Sequence, residues 1–302
     1  MSDPTTVADE PRGLRHLASR ITGTTRPSRL ARLGSATTVA GGITAGAEVL
    51  RGDLDDTDGL RAAAADSDGV VHLAFKHDLM QLGDMERAAS ADLGAIKALT
   101  GPIEGTGKPF VGTSGTLLLS MLDLGRAGTE DDAGEGGFRI DAENFVAGLA
   151  LKGVRSSIVR LAPTVHSDLD KTGYVPAMVG IAREKGFAAY VGGGANLWSA
   201  VHSLDAAHLF RLALEHGVAG SRYHAVGDEG VPFRDIAEAI GRGLNVPVRR
   251  LEPDAAEEYF GFLAPMVQMG SAASSARTQE LLGWKPAHPG LIADIDEGHY
   301  FR

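Results

Sequence analysis

The segment from Ala47 to Asp78 constrains the fold of this chain more than any other segment. Its sequence, AEVLRGDLDDTDGLRAAAADSDGVVHLAFKHD, predicts a strand at Ala47–Arg51, a short helix capped within Asp55–Thr57 and a second strand at Gly69–Phe75. An apolar strand without polar alternation is typical of a parallel sheet that is buried on both faces. Two such strands around one helix form a βαβ unit, in which ligands bind at the carboxyl ends of the strands.

The composition indicates a globular protein and excludes several functional classes. The chain has 302 residues, no cysteine and a formal net charge of −10. The lack of cysteine excludes disulfides, a thiolate nucleophile and cysteine-ligated zinc. The negative charge argues against nucleic-acid and anionic-membrane partners. Because no apolar run reaches about 18 residues and residues 1–10 do not resemble a signal peptide, we expect no membrane partner and a cytoplasmic location.

Six segments of the chain resemble one known family of enzymes. They are, in chain order, RGDLDD, GVVHLAFKHD, VRSSIVRLAPTVHSD, GGGANLWSAVHSLDAAHLFRLALE, YHAVGDEGVPFRDIAEAIG and LLGWKP. In this order and at this spacing they resemble the extended and atypical short-chain dehydrogenase/reductases, the NAD-dependent epimerase/dehydratase group, over most of residues 47–301. The resemblance implies an α/β fold with a doubly wound, Rossmann-like parallel sheet and a smaller C-terminal substrate lobe.

The same resemblance implies a domain organisation. We expect an NAD(P)-binding domain over residues 1–170 and a substrate lobe over residues 171–302. The lobe is expected to be interleaved with the first domain, because the predicted strand at 223–226 would return to the main sheet.

A set of cofactor-contacting residues also follows from the resemblance. In the family, an Asp-Leu pair lies beside the adenine ring, and residues after the next strand line the nicotinamide ribose. Carried over to this chain, the candidates are Asp53, Leu54, Leu73, Ala74, Phe75, Lys76, Thr113, Pro163, Thr164 and Val165. From the residues alone, Asp53 could instead end a strand in a turn, and Pro163 could simply fix the start of a loop.

Residues 1–46 lack the glycine turn with which such folds hold a pyrophosphate. No glycines occur at positions i, i+3 and i+6 anywhere in the chain, although the segment is long enough for a strand, a helix and a second strand. We put forward the hypothesis that this segment is divergent or translated in a shifted reading frame. Arg26 or Arg32 at the end of its second strand would favour the 2′-phosphate of NADP over NAD, whereas a solvated arginine in a loose segment would favour neither.

The proton relay of the family is missing. It uses a tyrosine with a lysine four residues later, whose ammonium group lowers the tyrosine pKa from about 10. None of the five tyrosines has this partner, and Arg139 and Glu143 fall at the two positions. Arginine can stabilise an oxyanion but cannot act as an acid, whereas Glu143 could exchange a proton if burial raised its pKa. The spacing slightly favours the alternative, an i, i+4 ion pair on a helix surface.

Other polar residues carry weaker signals. Ser114 matches the family serine whose hydroxyl polarises the substrate carbonyl, and it fits equally well as a turn hydroxyl after a strand. His166, His202 and Asp205 suggest a metal site, but the histidines lack ligand spacing and Asp205 suits the cap of the following helix. We therefore predict no metal site.

Together these features predict an NAD(P)-dependent oxidoreductase-like or epimerase-like protein that acts on a carbonyl or a secondary alcohol. Its candidate catalytic residues are Ser114, Arg139 and Glu143, its partner is a small-molecule substrate, and a homodimer is left open. The missing relay favours a second hypothesis, a non-catalytic NAD(P)-binding regulator or redox sensor. The missing glycine turn leaves a third, a degraded chain that binds nothing.

Overall fold

A computed structural model describes the chain at residue 50 and over residues 52–302. The predicted strand at Ala47–Arg51 falls almost wholly outside the described residues. Arg26, Arg32 and the rest of residues 1–46 lie outside them as well. The predictions made for that segment, including the choice between NAD and NADP, stay predictions.

The described strands form one parallel sheet and two smaller sheets. In chain order they are β1 (Val70–His72), β2 (Pro109–Gly115), β3 (Arg155–Leu161), β4 (Thr164–His166), β5 (Ala188–Val191), β6 (Leu197–His202), β7 (Ser221–Ala225), β8 (Asp228–Pro232) and β9 (Val248–Leu251). The main sheet has the order β1-β2-β3-β7 with all neighbours parallel. The smaller sheets have the orders β4-β6-β8 and β5-β9.

Helices connect these strands. In chain order the described helices are α1 (Thr57–Ala65), α2 (His77–Gln81), α3 (Met85–Thr100), α4 (Phe138–Gly148), α5 (Tyr174–Lys185), α6 (Ser203–His216), α7 (Phe233–Leu244), α8 (Ala256–Phe260), α9 (Ala264–Val267), α10 (Ala276–Leu282) and α11 (Leu291–Asp296). No helix in the described part of the chain combines the length and the apolar character needed to cross a membrane.

The sheet is covered by helices on both faces, as the prediction of a doubly wound fold requires. Neighbouring residues of a strand point to opposite faces. Phe110 and Ile158 pack on one face in a core with residues of α1, α3 and α4, whereas Val111 and Val159 pack on the other with residues of α6. All four of these strand residues are almost fully buried, which explains the lack of polar alternation in their strands.

The first predicted βαβ unit is confirmed in part. Helix α1 begins as expected, because the side chain of Asp56 accepts a hydrogen bond from the Gly59 amide at 3.0 Å. Strand β1 is shorter than predicted: it ends at His72, and the Leu73 side chain is 43% exposed. Among the described strands β1 lies at an edge of the sheet, so partners on only one side hold the chain in strand geometry.

The C-terminal half contributes both a strand and a separate core. Strand β7 returns to the main sheet beside β3, with Val159 opposite Tyr223, as predicted for the segment at 223–226. The smaller sheets pack with α5 and α7 around Trp198, Phe233 and Phe260. The division of the chain at residue 170 stays a prediction.

The prediction that Asp205 caps a helix is wrong. The N-cap of α6 is His202, whose side chain accepts a hydrogen bond from the Leu204 amide. Asp205 lies buried in the first turn, and its carboxylate accepts hydrogen bonds from the amides of Ala287 and His288, each at 3.1 Å, and contacts the His288 ring nitrogen Nδ1 at 2.7 Å. The carboxylate therefore anchors the segment after α10 to α6.

We predict that Asp205→Ala lowers the free energy of unfolding by about 2 kcal/mol, because it leaves two part-buried amide donors without their charged acceptor. Urea unfolding of the two proteins measures the difference. Asp235→Ala is a matched control, since Asp235 also lies in the first turn of a helix but is exposed, and its loss should cost less than about 1 kcal/mol. Equal effects of the two substitutions would contradict the anchoring role.

Candidate functional site

The predicted site residues converge on the carboxyl edge of the main sheet. The strands are parallel, so all of them end at the same edge. Residues 73–76 follow β1, Thr113 and Ser114 lie at the end of β2 opposite Val159 and Arg160 of β3, and residues 163–165 follow β3. The structure thus brings together candidates that are up to about a hundred residues apart in the chain.

Asp53 and Lys76 meet at one end of this edge. The Lys76 ammonium group lies 3.0 Å from the Asp53 carboxylate and 2.5 Å from the Asp55 carboxylate. The amide of Asp55 and then the Lys76 ammonium group lower the pKa of Asp53, while the hydrogen bond to Asp55 raises the pKa of Lys76. Asp53 therefore forms the turn that the residues alone suggested, and it also contacts a second cofactor-binding candidate. The neighbouring residue Leu54 packs against the apolar core that contains Leu60.

The guanidinium group of Arg139, near the start of α4, lies at the middle of the edge. Its Nη2 donates a hydrogen bond to the Thr113 carbonyl at 2.6 Å, and its Cζ lies 4.3 Å from the centre of the Phe75 ring. This distance is typical of a cation–π contact. Burial lowers the pKa of Arg139, and the carboxylates of Asp92 and Glu143 offset part of that effect.

Glu143 lies one helical turn further along α4 and is buried. Its carboxylate lies 2.5 Å from Nη2 of Arg160 on β3 and 2.7 Å from Nε of Arg222 on β7. The predicted surface ion pair between Arg139 and Glu143 is therefore wrong: Glu143 faces the sheet and binds two other arginines.

The electrostatics of Glu143 oppose the acid role that the sequence left open. Burial alone would raise the pKa of Glu143. The hydrogen bonds and the positive charge of Arg160, together with the nearby Ser114 and Arg222 side chains, outweigh burial and lower the pKa below 4.5. The carboxylate therefore stays ionised near neutral pH. The condition for proton exchange by Glu143 is not met in this arrangement.

The remaining candidates lie at the same edge with their hydroxyl groups engaged in the fold. The Thr113 hydroxyl donates to the His72 carbonyl at 2.7 Å, and the Thr164 hydroxyl donates to the Ser199 carbonyl at 3.0 Å. Pro163 and Val165 are half-buried beside Thr164. Any contact of this segment with a ligand would therefore use the backbone or the apolar side chains, and its role stays a prediction.

Sequence reasoning did not find the two arginines that bind Glu143. Arg160 is 2% exposed, and it also donates to the Asp132 carbonyl and contacts His224. The signal was present in the chain: Arg160 interrupts the apolar run Ile158-Val159-Arg160-Leu161. A charged residue inside a buried strand requires a buried partner.

The histidines considered for a metal site are paired within the fold. The Nδ1 atom of His166 lies 3.0 Å from the Asp294 carboxylate, and the ring of His202 stacks on that of His288. Within the described residues, the group of side chains with ligand spacing is Asp294, Glu297 and His299. That group contains none of the residues proposed from the sequence.

Two known proteins are similar to this chain over most of its length. No protein-family model matches it. The uncharacterized protein YLL056C of Saccharomyces cerevisiae is 42% identical over 266 residues, which cover 88% of this chain and 88% of the relative. The uncharacterized protein C2A9.02 of Schizosaccharomyces pombe is 42% identical over 252 residues, 83% of each chain. The chain belongs to the family of these two proteins.

Solved structures share the fold at low sequence identity. Dehydratase DesIV (dTDP-glucose 4,6-dehydratase) of Streptomyces venezuelae, with NAD and TYD bound, matches with a TM-score of 0.73 and 17% identity, covering 95% of this chain and 94% of that chain. The UDP-glucose 4-epimerase of Thermotoga maritima, with UDP-glucose, matches with a TM-score of 0.73, 16% identity and the same coverage. RMD of Pseudomonas aeruginosa, complexed with NADPH, matches with a TM-score of 0.65 and 16% identity, covering 95% of each chain. The expected fold, that of the NAD-dependent epimerase/dehydratase enzymes, is confirmed.

We predict that Glu143→Gln lowers the free energy of unfolding by about 3–5 kcal/mol at neutral pH, because it leaves two guanidinium groups without their carboxylate. The folded-state pKa of Glu143 is lowered, so its contribution is complete above pH 4.5 and is lost as the pH falls through the folded-state pKa. The variant should therefore lose less stability than the wild type on acidification. Urea unfolding at a series of pH values measures both effects.

Glu238→Gln is the matched control for this prediction. Glu238 also binds an arginine, Arg234, at 2.9 Å, but both side chains are exposed. Its loss should cost about 1 kcal/mol or less and leave the acid limb of the stability curve unchanged. An acid limb that is equally steep in wild type and Glu143→Gln would contradict the lowered pKa of Glu143.

Proposed function

We propose that this protein is an NAD(P)-dependent oxidoreductase that acts on a carbonyl compound or a secondary alcohol. The observation that carries the proposal is the convergence of Ser114 and Arg139 at the end of β2. Arg139 Nη2 contacts the carbonyl of the peptide unit that joins Thr113 to Ser114. A hydroxyl and a cation at the end of the same strand would suit an oxygen atom that gains negative charge.

The residues along the same edge fit a dinucleotide cofactor, NAD or NADP. They would hold it between Asp53, Leu54 and Lys76 at one end and residues 73–75, Thr113 and residues 163–165 further along. The donor set suits a polar ligand with an anionic group, because Arg139 places a cation without a paired carboxylate at an edge with half-buried apolar walls, whereas Lys76 is already paired with Asp53 and Asp55. A bound nicotinamide would supply the hydride to a carbonyl carbon or accept it from an alcohol.

The chain's own side chains would orient the substrate and stabilise charge. The Ser114 hydroxyl is buried and has no hydrogen-bond partner among the described residues, so its proton would be available to the substrate oxygen. Arg139 would stabilise the oxyanion without giving up a proton. Because Glu143 stays ionised, the proton that completes the alcohol would come from solvent. Reduction then consumes one hydride and one proton for each carbonyl group, and oxidation releases the same pair.

A second candidate function is a regulator that binds NAD(P) without turnover. The observation that favours it is the engagement of Glu143 by Arg160 and Arg222, at 2.5 and 2.7 Å. This engagement leaves no carboxylic acid at the position where the family has its relay lysine. Binding without hydride transfer would be the signature of this function.

We predict that NADP(H) or NAD(H) raises the melting temperature of the protein by several degrees at saturation, because a ligand that binds only the folded state stabilises it by about 2.7 kcal/mol at 100 times its dissociation constant. Ser114→Ala should keep this shift and lower turnover of a carbonyl substrate by about 10²-fold, the cost of one oxyanion donor. Thermal-shift titration and transfer of deuteride from the labelled cofactor measure the two effects.

The outcomes separate the candidates. Binding with deuteride transfer to a panel of small aldehydes and ketones supports the oxidoreductase. Binding without transfer to any of them supports the regulator. A well-folded protein that binds neither dinucleotide rejects both.

A further inference from the structure

The guanidinium group of Arg139 has donors that no acceptor in the described part of the chain uses. A guanidinium carries five N–H donors, and one hydrogen bond, to the Thr113 carbonyl, involves this group. The Phe75 ring covers one face at 4.3 Å. The side chain is half-buried, so water reaches it only in part.

The nearest carboxylates are committed to other partners. Asp92 and Glu143 both act electrostatically on Arg139. The Asp92 carboxylate, however, lies 2.8 Å from Nε2 of His72, and Glu143 binds Arg160 and Arg222. Within residues 52–302 neither carboxylate forms an ion pair with Arg139.

Arg139 is therefore partly desolvated and lacks a paired anion among the described residues. Arg160 and Arg222 share the Glu143 carboxylate, and the Asp92 carboxylate contacts His72. A partly desolvated cation without a paired anion is unfavourable unless a ligand supplies the anion.

We propose that Arg139 binds the carboxylate of the substrate, and that the substrate is an oxo acid or the corresponding hydroxy acid. This inference rests on the proposed function: one Arg139 N–H group and the Ser114 hydroxyl face the carbonyl oxygen, and the remaining N–H groups of Arg139 bind the carboxylate. Arg139 is then a specificity-determining residue. It selects an anion by the planar fork with which arginine binds carboxylates.

The geometry also limits the length of the substrate. Arg139 contacts the carbonyl of Thr113, the residue before Ser114, so both side chains lie near the same end of β2. A small substrate that reaches both would carry its carboxylate close to its carbonyl carbon, within one or two bonds. This requirement describes 2-oxo and 3-oxo acids.

The test compares an acid with its neutral ester. Acetoacetate and methyl acetoacetate differ in the charge that Arg139 would bind and share the carbonyl group that Ser114 would contact. Calorimetric titration of each compound is carried out on the protein alone and on the protein with saturating NADP⁺ or NAD⁺. We expect acetoacetate to bind about 30-fold or more tightly than the ester, the usual effect of a partly buried charge pair.

Two variants of Arg139 and one control test whether Arg139 causes the preference for acetoacetate over its ester. Arg139→Ala should remove it, and Arg139→Lys should keep part of it, because lysine retains the charge but not the fork. Arg234→Ala is the control: Arg234 also binds an aromatic ring, that of Tyr190, and is exposed on α7. It should leave the preference unchanged. The melting temperature of each variant shows that it is folded, and Arg139→Lys keeps the test valid if Arg139→Ala fails to fold.

Three results would overturn the proposal. Equal binding of acid and ester would show that no anion subsite exists. A preference for the acid that survives in Arg139→Ala would place the subsite elsewhere. Loss of dinucleotide binding in Arg139→Ala, with acetoacetate binding intact, would assign the guanidinium to a phosphate of the cofactor. If the wild type binds neither dinucleotide but prefers the acid through Arg139, the proposed function fails and the anion subsite stands.

Discussion

The buried contact between Glu143 and two arginines determines how the two halves of this protein are joined. Glu143 belongs to α4, Arg160 to β3 and Arg222 to β7, so one carboxylate links a helix to two neighbouring strands of the main sheet. Two guanidinium groups at this depth would be strongly unfavourable without it. This contact, together with the packing of Ala142 and Val146 in the apolar core, holds α4 against the sheet and Arg139 at the carboxyl edge.

The same contact changes the chemistry available at the site. The resemblance found in the sequence implies a tyrosine and a lysine at the positions of Arg139 and Glu143, whereas this chain has a cation followed by an anion. The Glu143 carboxylate is neutralised by two arginines of the sheet, and the Arg139 guanidinium group lies at the carboxyl edge without a paired carboxylate among the described residues. A site built in this way stabilises negative charge well and transfers protons poorly, which is why carbonyl polarisation and anion binding are better supported than acid catalysis.

The sequence predicts most of the fold and the location of the site, because both depend on patterns that are local in the chain. Apolar runs identify β2 and β3, and the cap at Asp56 identifies α1. The length of β1 could not be predicted, since it depends on which strand lies beside it. The partners of Glu143 and Asp205 could not be predicted either: both carboxylates bind residues at least 17 positions away, whereas the sequence suggested an i, i+4 ion pair for Glu143 and a helix cap for Asp205. Helix and strand periodicity relates only residues that are a few positions apart, so it does not predict ion pairs between distant parts of the chain.

The return of β7 to the main sheet has a consequence for how the protein reaches its fold. Ser157 of β3 pairs with Ser221 of β7, and the smaller sheets form from the residues between and after them. The sheet therefore cannot be completed until a large part of the C-terminal half has been synthesised and has begun to order. Parallel pairings that close such long loops raise the contact order and slow folding. We expect a slow folding phase that belongs to the joining of the two halves rather than to either half alone.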